Sequence, residues 1–240
     1  AAEKDNLRYA GHEAEAMAWQ GLDLLQFLPR DSERMAQEMR LLLAFGTAMM
    51  FRRGIGSEEV SRAFSRARDL FNHLDPQSQS GQNILLFSAL NGLWHFHWVR
   101  AEYAEARDLA ENLMDLAKGL KDPAMQQQAH HSLGIILMDH GEFADAYEHL
   151  AQGTGIFTRF GAALLQWNLG FPDQAVKNME ETLAIARESR NPEKLIFANQ
   201  GAARIFLACR DYRKTLEHAR NALDLASKYE LVDVWTAPMK

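Results

Sequence analysis

The chain of 240 residues has a single cysteine, Cys209, so no internal disulfide can form within it. Thiols are kept reduced inside cells, which makes a reducing, cytoplasmic compartment the expected setting. There are only six prolines, and no stretch alternates apolar and polar residues long enough to make a strand. The longest apolar run, Leu41 to Phe51, is bounded by Arg40 and Arg52. As a helix it would rise roughly 16 Å, about half a bilayer core, so no membrane partner is expected. No basic-then-apolar segment opens the sequence, which begins and ends inside helical pattern and is expected to be a piece of something longer. The formal charge is −6, and phosphate binding needs a basic face, so no direct nucleic-acid contact is expected either.

Catalytic patterns are also missing. The sequence has no Gly-x-x-x-x-Gly-Lys-Ser/Thr loop and no Gly-x-Ser-x-Gly elbow, and His12-Glu13 lacks the second histidine of a helical zinc-protease motif. The chain is therefore read as non-catalytic, without a cofactor. Cys209 sits on an apolar helical face, where a packing role outweighs a nucleophilic one.

What is abundant is helix-forming sequence: Ala, Leu, Glu, Gln, Met and Arg dominate. Pro29, Pro76 and Pro123 stand 47 residues apart, an even punctuation that prompts a search for repeats. The clearest unit runs His130-His131-Ser132-Leu133-Gly134, then Leu137, Gly141-Glu142-Phe143-Ala144-Asp145-Ala146, Leu150 and Gly153. Small residues such as Gly134 and Ala146 let two antiparallel helices approach, while Leu133, Leu137 and Leu150 fill the space between them. Comparable turns occur at Ala101-Glu102-Tyr103, Gly170-Phe171-Pro172 and Arg210-Asp211-Tyr212, with a longer one at Gly54-Ile55-Gly56-Ser57.

This pattern resembles the tetratricopeptide repeat (TPR). The resemblance implies an all-α, right-handed α-solenoid of about five to six helical hairpins in one superhelical domain. The hairpins are expected at approximately 1–29, 31–75, 78–120, 124–157, 160–190 and 193–228, with 229–240 starting another. The small residues opening each second helix, Ala14, Val60, Ala106, Ala146, Ala175 and Thr215, are separated by 46, 46, 40, 29 and 40 residues. In the short interval, 153–160 offers no evident turn, and the spacing predicts about ten to twenty further residues between Phe157 and Phe160.

The segment Gly92-Leu93-Trp94-His95-Phe96-His97-Trp98-Val99-Arg100, with Asp122-Pro123 and Ala129-His130-His131-Ser132-Leu133-Gly134, carries a narrower likeness. It resembles the helical-repeat region of bacterial signalling ATPases, including cyclase-linked ATPases and maltose-regulator-like transcription activators. That likeness implies a sensor or interaction arm whose catalytic domains lie elsewhere.

In stacked hairpins the first helices line the concave surface, which usually binds. Helical phase places Thr47, Phe51, Asn91, His95, Trp98, His131, Ser132, Asp139, Trp167, Asn168, Gln200 and Arg204 there. Aromatic and amide groups suit an extended peptide or protein segment, and a small effector is also compatible. Trp98 and Trp167 are equally consistent with packing between helices. His95, His97, His130, His131 and His140 cluster, but no acidic or cysteine ligand has a fixed spacing to them. Packing and polar-surface roles are thus preferred to a metal site. The charged runs Glu102 to Glu111 and Lys177 to Arg190 read as solvated helix faces. The end segment Tyr229 to Trp235 offers an alternative function, self-association into a homo-oligomer through an unpartnered apolar face.

Overall fold

Pro76, Pro123, Pro172 and Pro192 each open a helix, where the missing N–H would have had no helical partner. They mark the start of the following helix rather than the stop of the preceding one. Side chains cap three of these helices. Asp75 accepts from the Ser78 amide, Asp122 from Ala124 and Met125, and Asn191 from Lys194. Asp31 does the same for Arg34 at the helix before them.

The structure is a computed structural model that describes the backbone of residues 2–229 and the side chains of 13, 15–50 and 52–229. Among the described residues there are eleven helices and no strand: α1 (Ala2–Leu25), α2 (Ser32–Arg53), α3 (Glu58–Asn72), α4 (Pro76–Val99), α5 (Tyr103–Leu120), α6 (Pro123–Asp139), α7 (Phe143–Leu150), α8 (Ile156–Asn168), α9 (Pro172–Glu188), α10 (Pro192–Ala208) and α11 (Tyr212–Tyr229). None of them is long and apolar enough to cross a membrane. The fold is all-α, a helical solenoid of TPR-like hairpins. By its contacts the chain divides within α6 into two compact units, 1–129 and 130–240, where the sequence reading drew no boundary.

In the first unit α2 packs against α1, α3 and α4, and α4 continues onto α5. Met39, Phe71 and Leu74 form one buried cluster and Leu42, Ala67 and Ala89 another. The apolar positions of α3 recur at helical spacing, and all five of Val60, Ala63, Phe64, Ala67 and Phe71 are buried. Each large side chain so buried stabilises the fold by about 1.5–3 kcal/mol before conformational entropy is charged against it.

In the second unit α8 packs on α7, α9 and α10, and α10 on α9 and α11. One core cluster there joins Ile156 and Ala163 of α8, Met179 and Leu183 of α9, and Ala202, Ile205 and Phe206 of α10. The 29-residue interval is met here by a short second helix, since α7 has only 8 residues whereas α9 has 17. The chain turns at 151–155, then runs as unbroken helix through 157–160. Gly153 permits that turn, because a Cβ there would stand 2.3 Å from Thr158. The sequence reading missed this turn although Gly155-Ile156-Phe157 carries a Gly-x-aromatic spacing, because here that spacing opens a first helix and not a second one.

Four of the turns between first and second helices share one geometry, the longer turn after α2 at Gly54 being the exception. Ala101, Gly141, Gly170 and Arg210 all adopt positive φ, between 58° and 88°. The next residue's amide then reaches back five residues: Glu102 to His97, Glu142 to Leu137, Phe171 to Gln166 and Asp211 to Phe206, at 2.9–3.0 Å. This double closure satisfies the last carbonyls of each first helix. It fixes the reversal that carries the chain into the second helix.

Candidate functional site

First helices of TPR-like hairpins offer the surface most suited to a ligand, and each unit presents its own. On α4 of the first unit, Asn91 and His95 lie one turn apart. The Nδ1–H of His95 donates to the Asn91 carbonyl at 2.8 Å, and Asn91 Oδ1 accepts from Gln128 at 3.2 Å. Burial pushes the His95 imidazole below its ordinary value, partly offset by that carbonyl. Trp98 is half-buried and stacks on the fully buried Trp94 at 5.5 Å with rings 9° from parallel. It therefore packs and presents an edge at once. Thr47 of α2 is exposed, its hydroxyl donating to the Leu43 carbonyl. Phe51 falls outside the residues whose side chains are described.

On the second unit three successive first helices, α6, α8 and α10, contribute. His131 of α6 meets the ring of Phe157 on α8 edge-on, with centroids 6.4 Å apart. Phe157 in turn lies 4.1 Å from Phe197 of α10, and Phe160 stands edge-on to Phe197 at 5.6 Å. The guanidinium of Arg204 lies over the Phe160 ring, 5.9 Å from its centroid. Phe157 remains 42% exposed. Gly201 makes the arrangement possible: a Cβ there would sit 2.7 Å from the Phe160 ring, so α10 can approach α8 closely. The result is an aromatic patch, partly open to solvent, edged by an imidazole and a cation. Gln200 of α10 is half-buried on the same helix, while Asp139 and Asn168 are exposed at the C-terminal ends of α6 and α8.

One expectation about this surface needs correction. Ser132 is wholly buried and lines no groove. Adjacent helical residues differ by about 100° in direction, so His131 and Ser132 cannot both face outward from one stripe. Trp167 is half-buried and packs against the core of the second unit, so like Trp98 it combines packing with partial exposure. Three residues of the patch, Phe157, Phe160 and Phe197, were missed by the sequence reading. The spacing Phe157-x-x-Phe160 on one helix face was the available signal, hidden because 153–160 gave no sign of where the helix begins.

His97, His130 and His149 are engaged within the fold. His97 donates to Glu102 at 2.7 Å, beside the Arg100–Glu102 pair at the α4–α5 turn. His130 and His149 share an Nδ1···Nδ1 contact of 3.0 Å, which needs an N–H on one ring and a bare nitrogen on the other. Among the described residues no group of three or more His, Cys, Asp or Glu is placed to hold a metal ion. Cys209 caps α10, half-buried against the core, and burial raises its thiol above the ordinary value, opposite to what activates a nucleophile. The segment Tyr229 to Trp235, proposed from sequence for self-association, lies beyond Tyr229 outside the described residues.

The sequence pattern of the family described as anaphase-promoting complex subunit 5 matches residues 56–140 and 146–207, together more than half of the chain. No curated protein matches it. Among solved structures, BtubC (BKLC) from P. vanneervenii is similar with a TM-score of 0.63 at 14% identity, over 91% of this chain and 91% of that one. A kinesin-light-chain-like protein of nearly identical TPR-like repeats from Podosopora anserina has a TM-score of 0.53 at 14% identity, over 82% of this chain and 97% of that one. The apo form of RapI has a TM-score of 0.53 at 11% identity, over 95% of this chain and 66% of that one. At such identities the likeness is one of fold.

Proposed function

The chain belongs to the helical-repeat family described as anaphase-promoting complex subunit 5, and we propose that it is a non-catalytic interaction scaffold that binds an extended segment of a partner protein. The observation that carries this reading is the aromatic patch of Phe157, Phe160 and Phe197 on the first helices of the second unit. Aromatic side chains give contact area at little entropic cost, and partly open ones are the usual anchors of protein recognition. Arg204 favours a segment with an acidic side chain near its apolar anchor. Asn91, His95 and Trp98 on the first unit supply a second, more polar surface for such a segment or for a small effector.

A family named for a subunit of a complex supports the setting of a larger assembly. The finer reading, an arm of a bacterial signalling or transcription-regulatory protein, rests on the sequence resemblance alone, which runs over roughly Leu7 to Ala226 and is most specific in 92–134.

The test is a selection of displayed peptides against the purified chain, followed by affinity measurement of the selected sequences. The expected outcome is a consensus with an aromatic or large aliphatic anchor next to an acidic residue. Phe197→Ala should weaken these peptides by at least about tenfold, the loss typical of a recognition anchor. Selected peptides that bind the Phe197→Ala variant as well as the parent would remove the patch from the account.

A further inference from the structure

The first unit holds a cavity of about 460 Å³ between α1, α2 and α3, which the peptide reading does not use. Part of its lining is apolar: Leu22, Leu42 and Ala63, with the edge-on pair of Trp19 and Phe45, whose rings are 5.2 Å apart. Three arginines and three acids stand around it, and their pairing decides the polarity of the site. Arg66 is spent on Glu38, donating from Nε at 3.1 Å and from Nη2 at 2.9 Å. Arg62 is spent on Glu58 at 2.8 Å. Arg34 is different. Its Nη1 donates to the neutral carbonyl of Leu28 at 2.9 Å, and its Nε is buried without any acceptor among the described residues. No carboxylate pairs with it among the described residues, although it lines both this cavity and an adjoining one of about 250 Å³.

Nε itself is closed off from solvent, but the half-buried guanidinium as a whole has no counter-charge among the described residues, and an anion in the cavity would supply one. The remaining acids, Asp23 and Glu59, are exposed, so solvent and salt screen their repulsion of an anion bound deeper in the site. The volume falls in the range of small-molecule sites, and the lining joins an aromatic and aliphatic side to a charged rim in which Arg34 is the cation left without a carboxylate. The geometry points to a binding site for a small monocarboxylate with an apolar or aromatic body, its carboxylate on Arg34 and its body between Trp19, Phe45 and Leu42. Arginine's planar fork suits a carboxylate better than a point cation would.

The experiment is calorimetric titration of the 240-residue chain with 4-phenylbutyrate, indole-3-propionate and octanoate. Matched controls are 4-phenylbutyramide and 4-phenylbutylamine. At least one acid should bind saturably below about 1 mM, with the amide at least about tenfold weaker. Arg34→Gln should erase the preference for acid over amide, and Trp19→Ala, a change at a half-exposed ring, should weaken both. Thermal melting of each variant checks that it folds. The Phe197→Ala variant should bind the acids like the parent, so the outcome stands apart from the peptide reading. Failure of all three acids to saturate, tighter binding of the amine, or undiminished acid binding by Arg34→Gln would each overturn the assignment.

Discussion

The ring of Phe64 lies so close to Gly92 that a Cβ on Gly92 would stand 2.5 Å from it. Gly46 meets the tip of the same ring, its Cβ position standing 2.9 Å from Phe64 Cζ. One side chain of α3 thus sets the spacing of α2 and α4, which is the repeat logic of the fold in a single contact. Gly92→Ala should destabilise the chain by about 1–3 kcal/mol, the usual cost of overpacking, in equilibrium urea unfolding. Adding Phe64→Leu to that variant should recover part of the loss, because the smaller side chain vacates the clash. A fully additive double variant would show that the two residues do not act on each other.

The left-handed residues in the hairpin turns lead to opposite predictions for similar positions. Ala101 and Arg210 adopt φ of 58° and 60° with a Cβ in place, a conformation that costs roughly 1–2 kcal/mol for non-glycine residues. Ala101→Gly should therefore be neutral or stabilising by up to about 1 kcal/mol. Gly170→Ala should be destabilising by about 1 kcal/mol, although its Cβ would meet nothing within 4 Å. Thermal unfolding of both variants reads the signs directly.

Acidification should weaken the chain in two separate windows. His218 is buried, donates to Asn199 at 3.0 Å and stacks on Phe206; burial holds its imidazole below the ordinary 6.5. The unfolded chain then takes up that proton first, so stability is complete above about pH 6.5 and falls as pH drops towards the folded value. Asp75 accepts from the Ser78 hydroxyl and amide and from the Ser32 hydroxyl, which hold its carboxyl far below the ordinary 3.8. Its contribution is complete above that ordinary value and is lost as pH falls below it. Melting temperature against pH should show both declines. The lower one should flatten in Asp75→Asn, which lacks the titrating group.

Arg204 gives a prediction for salt. If its cation reads an acidic side chain on the partner, Arg204→Gln should lower affinity by a few-fold, roughly 0.5–1 kcal/mol, and reduce the salt sensitivity of binding. Equal salt dependence in the two proteins would assign Arg204 to packing over Phe160 alone.

The helices and their stacking were legible because small residues and Gly-x-aromatic turns report close approach and chain reversal locally. Gly141 and Gly170 announced their left-handed turns. Ala101 and Arg210 adopt the same backbone without glycine, and only the following acid–tyrosine pair gave them away. The surface was less legible, because a residue's direction depends on where its helix begins. His131 was placed by phase next to the patch it edges, yet its neighbour Ser132 turned into the core. At α8 the start at Ile156 could not be read from a turn built on Gly153 and Gly155, and Phe157 and Phe160 were lost with it. The cavity beside Arg34 was invisible, since the absence of a partner carboxylate is a property of three packed helices and leaves no mark in sequence.

The most direct test of the interaction account is photo-cross-linking from two positions. The photoreactive amino acid p-benzoylphenylalanine is placed at Phe157 in one protein and at Leu216 in another, Leu216 being an exposed residue of the second helix α11. Each is irradiated with a peptide selected for binding. Capture of the peptide at position 157 and not at 216 is the predicted result. Capture at 216 alone, or equally at both, would contradict binding on the aromatic patch.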